Sequence, residues 1–67
     1  MATLVISTNQ GINHEAEVRD YREANHEMAR FNRLYLANHP NDTIINAVVI
    51  ARGNIISRYH NGSFEAF

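Results

Sequence analysis

An α+β domain is the fold this sequence predicts. Its layout is β-α-β-β: one long amphipathic helix on one face of a mainly antiparallel sheet, three-stranded, or four-stranded if the tail pairs. Three observations carry this. Apolar residues recur at helical spacing between Asn13 and His39. Runs rich in β-forming residues flank that stretch, Thr3 to Ser7 before it and Thr43 to Arg52 after it. Gly53-Asn54 and Asn61-Gly62 are tight-turn pairs.

The helix is placed over Asn13 to His39. Tyr21, Ala24, Met28, Phe31 and Tyr35 follow one another at spacings of three and four. On a wheel they span about 80° of arc, one buried stripe. Arg19, Arg22, His26, Arg30 and Arg33 lie opposite, also within about 80°. Asp20, Glu23 and Glu27 fill the strip between. Asn13 is the expected N-cap, with Glu15, Glu17 and Asp20 in the early turns and Arg30 and Arg33 late, an order that suits the helix macrodipole. Pro40 stops the helix, and Pro40-Asn41-Asp42 is turn chemistry.

Strands are expected at Thr3 to Ser7, Thr43 to Arg52 and Ile55 to His60. Ser63 to Phe67 is a short fourth strand or a packed tail. With Gly53-Asn54 as a type II′ loop, Arg52 opposes Ile55, Ile50 opposes Ser57 and Val48 opposes Tyr59. The helix returns the chain, so the first two strands run in one direction. The third strand is placed between them, in the order 1-3-2; direct parallel pairing of the first two is the alternative. Both sheet faces carry apolar residues near the hairpin. One helix covers one face. Phe64 and Phe67, a second copy of the chain or a partner must cover the other.

Sixty-seven residues without cysteine bound the rest. One domain spans 1–67, without disulfides or thiolate metal sites. Domains of this size bury roughly 60% of their unfolded surface and often lean on oligomerisation or a partner. A net charge of −1 gives no global pull towards nucleic acid or membranes. No apolar run is long enough for a membrane span or a signal peptide, so a cytoplasmic location is expected. All six basic residues are arginine, whose fork pairs two-pronged with carboxylate or phosphate.

Several constellations bear on function. The ridge of Arg19, Arg22, His26, Arg30 and Arg33, flanked by Glu23 and Glu27, is the candidate partner-binding surface. Its plain reading is a solvated face, with Glu15–Arg19, Arg19–Glu23 and Glu27–Arg30 as helical pairs worth about 0.2–0.5 kcal/mol each. Glu23 and Glu27 would repel phosphate, so a protein partner fits better than nucleic acid. Glu23-x-x-His26 is half of a carboxylate-bridged di-metal motif, but it points outward and has no second copy. His14, His26, His39 and His60 lack ligand spacing, so no metal or other cofactor is expected. Asn25 and Asn32 border the apolar stripe, either setting the register of a helix contact or edging the solvated face. No nucleophile motif or phosphate loop is present, and an enzyme is not expected.

These readings leave three classes. The first is a protein-binding module, an inhibitor or adaptor, acting through the charged helix face or a sheet edge. The second is a small nucleic-acid-binding protein using the helix arginines. The third is a homo-oligomeric accessory protein, a homodimer through the spare sheet face. In size, absence of cysteine and β-α-β-β layout, the chain resembles the small inhibitors that phages make against host enzymes and defence complexes, anti-CRISPR proteins among them. The likeness is one of size and layout, and it assigns no residue a role. The first class ranks highest because so small a chain, without a pocket, can still present a surface; the likeness implies a host or defence protein as the partner.

Overall fold

The structure, a computed structural model, describes residues Met1 to Phe67. Strand β1 (Ala2–Thr8) turns into β2 (Asn13–Val18). Helix α1 (Tyr21–Leu34) follows, then a short 3-10 turn at Leu36–Asn38. Strands β3 (Ile44–Ala51) and β4 (Asn54–Arg58) complete a sheet of order β2-β1-β3-β4. Every pairing is antiparallel. The α+β class and the single helix on one sheet face are as the sequence predicts. The order of elements is β-β-α-β-β.

The helix is shorter at its start than expected. Residues 13–18 form β2, so Asn13 is not its N-cap. The loop explains why. Gly11 takes a left-handed φ of 89°. The Gly11 N–H donates to the Thr8 carbonyl at 3.0 Å, and the Ile12 N–H donates to Thr8 Oγ1 at 3.2 Å. That turn brings the chain back beside β1. His14, Ala16 and Val18 then alternate with Asn13, Glu15 and Glu17, which is strand periodicity. Pairing with β1 overrides the helix propensity of Glu and Ala. The true N-cap is Asp20, whose carboxylate accepts from the Glu23 N–H at 2.9 Å. Asp20-x-x-Glu23 is the capping-box pattern.

This extra strand also overturns the 1-3-2 order. β2 reverses the chain before the helix reverses it again, so β3 enters antiparallel to β1 and pairs with it directly. The hairpin register shifts as well. Ala51 opposes Asn54, and Ile50 opposes Ile55. The loop residues are therefore Arg52 and Gly53, at φ 53° and 78°. Two left-handed positions in succession make a type I′ turn, which matches strand twist better than the expected Gly53-Asn54 loop. A bulge between Val49 and Ile50 then sets Val49 opposite Ser57 and Val48 opposite Arg58.

The core lies between the sheet and α1. Leu4, Ile6, Val18 and Val49 meet Ala24, Met28 and Phe31 of the helix. Tyr21 and Tyr35, the ends of the predicted stripe, are half-buried against it. Phe64 fills the same layer from the C-terminal tail. The tail is thus packed, as one of the two expectations had it, with a single bridge between His60 and Ser63. It covers the helix side of the sheet rather than the far side. No helix is long and apolar enough to cross a membrane.

Candidate functional site

α1 and the edge strand β2 leave an open groove of about 550 Å³ between them. Ile12, His14 and Ala16 form its strand wall. Glu27, Arg30, Phe31, Leu34 and Tyr35 form its helix wall. These walls follow from periodicity: His14 and Ala16 are alternate strand residues on the helix side, and Glu27, Arg30, Phe31 and Leu34 are helical neighbours at three and four. Leu34 is 56% exposed and Ile12 is 42% exposed, so the groove offers apolar surface to solvent.

A ladder of rings runs along it. The His14 ring lies 5.3 Å from Phe31, Phe31 lies 5.0 Å from Tyr35, and Tyr35 lies 4.1 Å from His39. The last two pairs are stacked. The His39 Nδ1–H donates to the Tyr35 carbonyl at 2.8 Å, closing the end of the helix. Tyr35 is fixed from the other side by its hydroxyl, which donates to Asp42 at 2.6 Å. Asp42 is itself buried. Burial pushes its carboxyl up, but bonds from Tyr35, Thr8 and the Gln10 and Thr43 N–H groups outweigh that and hold it below the usual carboxylate range. In turn the Asp42 carboxylate, together with burial, raises the Tyr35 phenol above its ordinary value. Tyr35, on the helix wall of the groove, is thus held through both its hydroxyl and its carbonyl.

The residues of the predicted ridge part company. Arg22, His26, Arg30 and Arg33 face solvent on α1, as the wheel requires. Arg19 is exposed but lies in the link before the helix, so it leaves the ridge. The Arg19 pairs with Glu15 and Glu23 do not form. One ion pair exists, Arg30 to Glu27 at 3.7 Å. Arg22 instead lies over the Tyr21 ring, 5.9 Å from its centroid. Glu23 sits in the capped first turn. Glu27 and Arg30 alone reach the groove. No three His, Cys, Asp or Glu side chains converge as metal ligands.

Ile12, His14, Ala16 and Leu34 are the groove residues that the wheel misses. For His14 and Ala16 the signal is the alternation from Asn13 to Val18, which a helical reading hides; Ile12 precedes that stretch, and Leu34 falls off the apolar stripe among the acidic residues of the wheel. The outer backbone of β2 has no strand beside it, because β2 pairs only with β1. A free strand edge beside an apolar groove can accept an extended chain as an added strand, with alternate side chains in the groove. Comparison with protein-family models, with curated proteins and with solved structures gives no match.

Proposed function

We propose that this protein is a non-enzymatic binding module that captures an extended segment of another protein along β2. The segment adds a fifth strand to the sheet and sets alternate apolar side chains against Ile12, Phe31 and Leu34. The observation that carries this is the junction of an unpaired strand edge with an open apolar groove. Arg30, on the helix wall of the groove, suits an acidic residue of the same segment. Glu15 and Glu17 project from β2 and discourage unselective edge pairing, so the edge is selective. An inhibitor or adaptor of a host or defence protein is the role that fits this surface.

Leu34→Asp with Arg30→Glu tests it. Both side chains are exposed, so the cost is confined to the Arg30–Glu27 pair and a carboxylate at the helix end, about 1–2 kcal/mol, and circular dichroism should show the fold intact. Partner retention from the source cell should be lost. Retention unchanged in this variant refutes the groove as the binding surface. A second variant separates nucleic acid from protein. Salt-steep binding of random DNA or RNA by the wild type, lost on Arg30→Glu with Arg33→Glu, would move the assignment to the helix arginines as a phosphate-binding surface.

A further inference from the structure

The face of the sheet away from α1 carries a pattern that matches itself. Residues opposite one another in an antiparallel ladder share a face. The register therefore builds three rows across the four strands. Glu15, Val5, Val48 and Arg58 make one row. Glu17, Thr3, Ile50 and Ile55 make the next. Asn13, Ser7 and Asn46 make a polar third. Val48 is only 6% exposed, yet it lies outside the core cluster, which places it on this far face. The helix and Phe64 are both on the other side.

Glu15 and Arg58 stand at opposite ends of one row. Three strand spacings separate them, about 14 Å, too far to pair within one chain. Neither has an ionic partner.

We propose that a second copy of this chain covers this face, related by a two-fold axis that runs along the strands between β1 and β3. Such an axis lays each row on its own reversed copy. Val5 then meets Val48 of the other copy, and Glu15 meets Arg58, twice each. In the second row Thr3 meets Ile50, and Glu17 meets Ile55 at the rim, where both are exposed and the carboxylate stays in water; the polar row meets its equal. The sheets stack about 10 Å apart, a gap that Glu and Arg span together. An aligned packing angle near −30° displaces the ends of a row by roughly 4 Å, within reach of these long side chains. The other in-plane axis, across the strands, sets β2 on β2. It brings the glutamates together and the two Arg58 side chains together, and repulsion excludes it. The contact is small, roughly 400 Å² of sheet plane per copy, so the dimer is reversible.

The test is sedimentation of the whole chain over a wide concentration range, with far-UV circular dichroism to check the fold. Wild type should dimerise with concentration. Glu15→Arg and Arg58→Glu should each weaken the dimer by about tenfold or more, since each sets like charges together. The two changes combined restore opposite charges across the axis, and should return the dimer to near wild-type strength. Glu15→Gln and Arg58→Gln, which only remove charge, should weaken it less than the reversals. A wild type that stays monomeric at every concentration overturns the proposal. So does a dimer that ignores both reversals, or one that the combined change fails to rescue.

Discussion

The Asn25 side chain grips the backbone of Phe64 in both directions. Its Nδ2 donates to the Phe64 carbonyl at 3.2 Å, and the Phe64 N–H donates to its Oδ1 at 2.6 Å. One amide thus acts as a strand partner for a tail that has almost no ladder of its own. It seats Phe64, 2% exposed, in the core and against Tyr59. Asn25→Ala should destabilise the fold by about 1–3 kcal/mol, because it leaves two Phe64 backbone groups without partners. Phe64→Ala should cost about 3–5 kcal/mol. The double variant should cost less than the sum, since each change releases the same tail. Urea melts of the four proteins measure this; strict additivity would show that the amide does not hold the tail.

Asp42 makes stability depend on pH. Its folded carboxyl is held low, so its contribution is present in full above the unfolded value of about 3.9 and is lost as pH falls through the lower folded value. Asp42→Asn should therefore melt well below wild type at neutral pH, and the gap should close in acid. Tyr35 works at the other end. Its raised phenol favours the folded state below about pH 10, and that contribution is lost as pH rises through the folded value. Tyr35→Phe should remove the alkaline slope. Melting temperature against pH for the three proteins reads both effects, and parallel curves would contradict them.

Arg52 occupies a left-handed position at φ 53°. A side chain with Cβ is disfavoured there, and asparagine tolerates it better. Arg52→Asn converts the turn to Asn-Gly, the preferred pair for type I′. It should stabilise the protein by about 0.5–1 kcal/mol in denaturant melts. A loss of stability would mean that Arg52 contributes something beyond the turn.

Phe31 links core and groove. It is buried against the sheet, stacks on Tyr35 and packs at a tilt against His14. Phe31→Ala should cost about 3–5 kcal/mol, enough to unfold much of so small a protein. Near-wild-type stability in this variant would contradict the core described above.

Much of the helix was legible in the sequence. The stripe of Ala24, Met28 and Phe31 is buried and the opposite arginines are exposed, because a 3.6-residue period survives packing unaltered. The start was not. From Asn13 to Val18 the residues favour helix by propensity and strand by alternation, and only the partner β1 decides between them. The Asp20-x-x-Glu23 capping box was the local signal for the true start. The hairpin slipped by one because Gly53 fits the first position of a type II′ turn and the second of a type I′ turn. The bulge at Val49 and Ile50 then changed which side chains of β3 and β4 share a face. Asn25 was legible only as a polar residue at the stripe's edge. Its partner lies 39 residues further along the chain, out of reach of any local pattern.

The groove was half legible. Its helix wall follows from the wheel, but its strand wall needs β2. Its role as a docking edge is tested most directly by hydrogen exchange on the protein with its captured partner bound. New protection is expected at amides of Asn13–Val18 and at Leu34 and Tyr35, with β4 unchanged. Protection confined to the turns around Arg22 and His26, with β2 exchanging as in the free protein, would contradict it.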